Sequence, residues 1–266
     1  MAWPASAVVL SNREITPGHY LLVAAAPGVA EGASPGQFAH IRCGDTMDPL
    51  LRRPLSFHRI EPRAGRVTFL YRLVGRGTAL LARKGEGEIL DLLGPLGRGF
   101  PFPVGSGPAV LVGGGIGVAP LLALADALRQ AGREMVVLLG ARTRGYLPRW
   151  EEFGGRGSQL KVVTEDGSLG ERGLVSDLLE DWLNTQQARA GTERGTLYAC
   201  GPVPLLKKVQ EIARARDLTA YLSLEERMAC GVGACLSCAC RAAGAPAYLK
   251  VCVDGPVFPA REVELW

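Results

Sequence analysis

Ala109-Val-Leu-Val-Gly-Gly-Gly-Ile-Gly-Val-Ala-Pro120 is the stretch from which the fold of this 266-residue chain is read. The run from Ala109 to Gly113 is β-type, a glycine-rich turn follows, and a helical pattern extends from Pro120 to Ala131 before a second β run, MVVLLGA. A strand that passes through such a turn into a helix can bring its backbone close to a nucleotide phosphate and aim the positive helix end at it. Gly113, Gly114, Gly115, Gly117 and Pro120 are therefore candidate nucleotide-site residues. Their spacing departs from the two-halved Gly-x-Gly-x-x-Gly fingerprint, and a plain glycine turn is the competing reading.

Working downstream, β runs at Leu160 to Thr164, Thr196 to Cys200 and AYLSLEE alternate with helical segments near Leu174 to Leu183 and Pro204 to Ala215. That alternation predicts a parallel sheet covered by helices on both faces. Ligands gather at the carboxyl edge of such sheets, where Cys200 and Gly201 end one strand and Glu165 and Asp166 end another. Cys200-Gly201-Pro202 is placed on the nicotinamide side. The acidic pair would repel a 2'-phosphate and accept hydrogen bonds from ribose hydroxyls, which favours NAD over NADP.

Upstream, from Ala7 to about Pro103, short β runs (HYLLVAAA, FAHIRCG, PLSFHRI, RVTFLYRLV, GEILDLLG) are punctuated by Gly and Pro, which predicts a small antiparallel barrel with one short helix at Ala79 to Lys84. Arg53-Pro54-Leu55-Ser56 sets a guanidinium and a hydroxyl in one extended segment, suited to a pyrophosphate and a flavin ring nitrogen. A plain surface strand is an equal account of that motif alone. Leu70-Tyr71-Arg72 adds an aromatic that would lie against a flavin, and Gly77-Thr78 a helix start that would face phosphate. Together they favour FAD.

The far end of the chain holds five of the seven cysteines. Cys230, Cys235 and Cys238, with Cys252 downstream, follow the Cys-x4-Cys-x2-Cys...Cys spacing of 2Fe-2S proteins. Gly231 and Gly233 let the loop curl so that its N–H groups point at the sulfurs. A tetrahedral zinc site is the alternative, but it favours paired Cys-x2-Cys knuckles. Cys240, in Cys238-Ala239-Cys240, is a rival third ligand; a strand after Cys238 would turn it inward as a packing residue. Cys43, in an apolar β run, is assigned to the core. Beyond the cysteines, AYLKVCV and EVELW are expected to form a β pair, in a module too poor in apolar residues to fold without metal.

The fold class expected is multidomain β plus α/β: a barrel at residues 1–104 for FAD, a parallel-sheet α/β unit at 105–225 for NAD, and a 2Fe-2S module at 226–266. The bulk properties exclude several functions. A net charge of +4, with both signs interspersed, gives no basic stripe for nucleic acid. No apolar run reaches the roughly 20 residues that cross a bilayer, and the start lacks a signal peptide's features, so a cytoplasmic protein is expected. An odd number of clustered cysteines in a reducing compartment suits metal rather than disulfides.

Taken in order, Arg53 to Ser56, Gly113 to Pro120 and Cys200-Gly201-Pro202 resemble the ferredoxin-NADP reductase superfamily over nearly the whole chain. Ser223-Leu224-Glu225-Glu226-Arg227-Met228 before Cys230, and Val253-Asp254-Gly255-Pro256-Val257-Phe258 after Cys252, are similar to the electron-transfer subunits of two-subunit, NAD-dependent dihydroorotate dehydrogenases. That resemblance implies FAD contacts at Arg53 to Ser56, Leu70 to Arg72 and Gly77-Thr78, and four cysteine cluster ligands. It also implies an FMN-containing, dihydroorotate-oxidising catalytic subunit as partner, in a heterotetramer of two plus two. Small subunits of sulfide dehydrogenases and of bifurcating NADH-dependent ferredoxin-NADP reductases share the layout but look to carry aspartate where Cys230 stands. A self-contained oxygenase reductase is a further rival. No acid-base catalyst is expected, because the cofactors carry the chemistry.

Overall fold

The computed structural model describes residues 3–44, 46–103, 107–187 and 195–265. The first part of the chain closes into a six-stranded antiparallel barrel. Its elements are β1 (Trp3–Thr16), β2 (His19–Ala25), α1 (Pro27–Gly32), β3 (Phe38–Ile41), β4 (Arg53–Glu61), β5 (Arg66–Arg72), α2 (Arg76–Leu81) and β6 (Ile89–Leu96). The strands run round the barrel in the order β1-β2-β5-β4-β3-β6. Phe57, Phe69, Leu22, Leu90, Leu92 and Ile41 fill it, and Cys43 joins them at 1% exposure, so that thiol is a core residue as expected.

Three local features depart from the sequence expectation. β1 starts before Ala7 and was hidden by its polar composition. It is held because its first half pairs with β6 and its second half with β2. α1 is a second short helix, begun by a proline in its first turn. α2 begins three residues before Ala79, because the Thr78 hydroxyl accepts the Val74 and Gly75 N–H groups and starts the helix there.

The rest of the chain supplies β7 (Ala109–Gly114), α3 (Val118–Gln130), β8 (Met135–Ala141), β9 (Ser158–Thr164), β10 (Glu171–Arg172), α4 (Val175–Gln187), β11 (Thr196–Cys200), α5 (Val203–Ala215) and β12 (Ala220–Ser223). It ends with β13 (Ala239–Ala242), β14 (Tyr248–Lys250), β15 (Val257–Pro259) and β16 (Val263–Glu264). A seven-stranded sheet has the order β10-β9-β8-β7-β11-β12-β15 and is parallel except for β15, which pairs antiparallel with β12. The continuous apolar runs of β7 and β8 are buried on both faces, as a helix-covered parallel sheet requires.

Two expectations about the last forty residues are corrected. AYLKVCV and EVELW do not pair with each other: β14 and β16 flank β13 on its two sides. Nor does this segment rest on metal alone, since Cys238, Cys240, Val251 and Cys252 share one apolar core with Phe38 of the barrel and with the sheet. Cys240 is 5% exposed in β13, the inward position expected of a packing residue.

The barrel and the sheet lock together where α3 meets β4. Arg59 pairs with Asp126 and with Glu152, each at 2.8 Å. Buried His58 donates from Nδ1 to the Ala119 carbonyl at 2.9 Å, and Tyr198 donates to the Pro101 carbonyl at 2.9 Å.

Candidate functional site

A cleft of about 850 Å³ opens at the carboxyl ends of β7, β8, β9 and β11, facing the end of the barrel. Gly114, Gly115 and Gly117 form its floor, with Gly201 beside them. A Cβ on Gly117 would stand 2.5 Å from the Cys200 carbonyl oxygen, and one on Gly114 2.7 Å from the Leu205 side chain. The floor is therefore a backbone surface that only glycine permits, and Gly115 adds a left-handed turn (φ +56°). Such a surface fits a phosphate approaching the start of the 13-residue α3.

Gly113 and Pro120 do not line the cleft. Gly113 is glycine because Leu139, Leu121 and Val118 crowd its α-carbon, and Pro120 is buried within the first turn of α3. Of the acidic pair only Glu165 reaches the cleft; Asp166 turns back to accept from the N–H and hydroxyl of Ser168, which hold its carboxyl below the usual range. Cys200 lies beneath the floor at 1% exposure. Burial, and next the Glu225 carboxylate, push its thiol pKa up, so it is a neutral packing group. Sequence reasoning missed Arg142, Lys208 and Glu225 on the cleft wall. Arg142 directly follows β8 and Glu225 lies two residues past β12, and the carboxyl-edge rule that selected Glu165 and Gly201 would have found them too.

On the barrel, the two neighbouring arginines separate. Arg52, just before β4, is tied to Asp91 of β6 by a two-pronged ion pair at 2.7 and 2.8 Å, a structural link. Arg53 instead folds over the start of α2, where a Cβ on Gly77 would lie 2.7 Å from its Nε. Pro54, Leu55 and Ser56 continue along β4, half-buried. Alternation along β5 divides the next motif: Arg72 faces the cleft and Leu70 packs toward the sheet. Tyr71 turns into the barrel, donating to Asn12 at 3.0 Å and stacking on Tyr20. The aromatic expected against a flavin is thus on the wrong face of its strand. The Thr78 hydroxyl is likewise occupied by its own helix cap.

The cysteine loop curls on Gly231 (φ +71°) and Gly233 (φ +79°). Its sulfurs come as two pairs. Cys235 and Cys230 are 3.3 Å apart, and Cys238 and Cys252 share a hydrogen bond. The Cys235 N–H donates to the Cys230 sulfur at 3.3 Å, and the Gly233 N–H to the Cys252 sulfur at 3.2 Å. Burial works against a Cys230 thiolate, yet the surrounding N–H groups and the Cys235 thiol outweigh it and bring its pKa down to about 6. Among the described residues no three His, Cys, Asp or Glu side chains close around a single ion. Two thiol pairs with N–H donors fit a binuclear iron-sulfur cluster, which takes two thiolates on each iron, better than one tetrahedral zinc.

Comparison with known proteins agrees with this geometry. Residues 225–264 match the model described as the iron-sulfur cluster binding domain of dihydroorotate dehydrogenase B, and residues 111–211 the oxidoreductase NAD-binding domain. The chain is 47% identical to a dihydroorotate dehydrogenase B (NAD(+)) electron transfer subunit of Geobacillus thermodenitrificans, and 48% to that of Bacillus caldolyticus, over 97% of each chain. The chain belongs to this family of electron transfer subunits. A structure of an NADH-dependent reduced ferredoxin-NADP oxidoreductase is similar at a TM-score of 0.84 and 32% identity, covering 97% of this chain and 90% of that one. The ferredoxin reductase of carbazole 1,9a-dioxygenase shares the fold at 0.67 and 21% identity, over 82% of this chain and 67% of that one. No helix among the described residues is long and apolar enough to cross a membrane.

Proposed function

We propose that this chain is the electron-transfer subunit of a two-subunit dihydroorotate dehydrogenase, linking an FMN-containing catalytic partner to NAD+ in pyrimidine biosynthesis. The observation that carries the reading is the paired set of four cysteines, with Cys230 a cysteine in first place, beside a glycine-floored nucleotide cleft. When bound, a 2Fe-2S cluster would supply one-electron transfer, and FAD would supply the means to gather two such electrons with one proton as a hydride for NAD+.

The residues have distinct tasks in this reading. Cys230 and Cys235 hold one iron, Cys238 and Cys252 the other, and the N–H groups of Gly233 and Cys235 offset the charge on the sulfurs. Arg53 grips the FAD pyrophosphate and Ser56 meets the flavin ring, with Leu70, Arg72 and Gly77 around them. Gly114, Gly115, Gly117 and Gly201 accept the NAD phosphates and nicotinamide, and Glu165 accepts from a ribose hydroxyl. The thiol chemistry suits the cytoplasm, and a two-plus-two heterotetramer is the assembly that accompanies the family reading.

Reconstitution with iron and sulfide tests the cofactors: the expected product shows flavin and 2Fe-2S absorbance and is bleached by NADH. A chain with neither flavin spectrum nor NADH reduction would refute the reading. The partner is tested by co-purification with a dihydroorotate-oxidising FMN subunit, where failure to form a stable complex would sink that part. A second reading, the small subunit of a bifurcating reductase with a similar structure, is not favoured over the family reading and is separated by asking which donor reduces the assembled complex.

A further inference from the structure

His40 is a buried histidine whose place the electron path leaves unexplained. It sits in β3, opposite Pro54 of the flavin-side strand β4, at 0% exposure. β3 is buried on both faces: Ala39 and Ile41 fill the barrel, while Phe38 packs on the core that contains Cys238 and Cys252. His40 shares the outer face with Phe38 and meets the cysteine loop directly. A Cβ on Gly231 would stand 2.6 Å from its Nδ1.

Of the chain's three histidines, His19 and His58 each place Nδ1 on a backbone carbonyl. His40 alone has neither ring nitrogen in a hydrogen bond among the described residues. An unsatisfied buried polar group costs about 1–3 kcal/mol, and a leucine would fill the same space without it. Two carbonyls nevertheless lie close to the ring, those of Arg52 and Cys230. The Arg52 carbonyl already accepts from the Arg53 guanidinium at 3.2 Å. Among the described residues no donor is seen on the Cys230 carbonyl. An imidazole always carries at least one ring N–H to give.

We propose that His40 is a positioning residue joining the flavin-gripping strand to the cluster loop, with a ring N–H held on the Cys230 carbonyl. One side of the ring is fixed through the β3–β4 ladder to Pro54, next to Arg53; the other fixes the residue whose sulfur ligates iron. Electron transfer between two bound redox groups falls off steeply with distance, so a ring fixed on both sides would keep the strand that would hold FAD and the loop that would hold the cluster at one separation. This rests on Cys230 being a cluster ligand.

The experiment uses the holoenzyme with its partner and compares His40→Leu, His40→Asn and wild type. His40→Leu is expected to keep full iron and flavin content while losing the hydrogen bond to the Cys230 carbonyl. NADH should reduce its flavin at the normal rate, while flavin-to-cluster transfer slows by at least about tenfold and the electron paramagnetic resonance signal of the reduced cluster shifts. His40→Asn, which keeps an N–H donor near the Nδ1 position, should recover most of the rate. A His40→Leu enzyme with unchanged transfer rate and cluster signal would overturn the proposal. Should His40→Leu fail to load a cluster, His40→Asn and His40→Gln decide: no recovery of rate in either would also overturn it. A Cys230→Ser enzyme that keeps a wild-type cluster signal would instead refute the ligand assignment, leaving a separately readable result.

Discussion

Two glycine-rich loops serve this molecule, and glycine answers a different main demand in each. In the nucleotide loop, Gly113 and Gly117 have ordinary backbone angles and are glycine because neighbours stand where a side chain would be. In the cysteine loop, Gly231 and Gly233 have left-handed angles that turn the backbone so that the Gly233 and Cys235 N–H groups reach sulfur. At these positions the first loop is bare because protein neighbours fill the Cβ site and the second because the backbone must turn, although Gly115 also has a left-handed angle and Gly231 also stands against His40. A sequence displays glycine identically in both cases, and only the packing tells them apart.

The largest effect that would test this contrast is in the second loop. Cys252→Ser, whose sulfur receives the Gly233 N–H, should lower iron from about two atoms per chain to a small residue and abolish transfer beyond the flavin, while NADH still bleaches the flavin. Iron analysis and a visible titration read this out, and retention of the cluster would break the pairing of sulfurs described above. In the first loop, Gly117→Ala forces the Cys200 carbonyl or α3 to move. Flavin reduction by NADH should drop by about 100-fold with iron content unchanged, because a displacement near 1 Å at a positioning surface has that scale of cost.

A smaller effect separates the supports of the two loops through pH. His58 holds the Ala119 carbonyl just past the nucleotide loop, and burial lowers its pKa to about 4 from an ordinary 6.5. The unfolded chain therefore takes up the proton first as pH falls, and stability is lost between about pH 6.5 and 4. The loss is up to about 3 kcal/mol at the low end. Urea denaturation at pH 7, 6 and 5 should show this slope, and His58→Asn should reduce it without removing it, since buried His40 and His19 are lowered in the same direction. The smallest effect is at the cleft wall: Glu165→Gln should raise the KM for NADH by about three- to tenfold, and Asp166→Asn should leave it unchanged. Equal effects from both would mean that Asp166 leaves Ser168 when nucleotide binds.

Much of the architecture was legible because it is written in local patterns. The sheet strands and helices between Ala109 and Ser223 fall close to their expected places, since apolar runs of β7, β8 and β11 and glycine punctuation are short-range signals. The cysteine spacing was legible for the same reason. What escaped depends on distant partners. Which face of β5 Tyr71 occupies is decided by Asn12 and Tyr20, far away in sequence. Gly113 and Gly117 look alike until Leu139 and Cys200 are placed against them. The polar β1 forms because two other strands pair with it, a fact that its own residues do not announce.

The pairing of β15 with β12 reaches beyond redox chemistry. Electron carriers are attractive parts for engineering, and the final forty residues look like a detachable cassette that could be grafted onto another reductase. They are not. Excising them strips one edge of the sheet, bares the backbone groups of Leu222 and Ser223, and opens the apolar surface under Phe258. An uncovered edge invites another chain to add to it, so the truncated protein would be lost to aggregation rather than left as a working flavoprotein. Any transplant of the cysteine loop has to carry a sheet edge along with it.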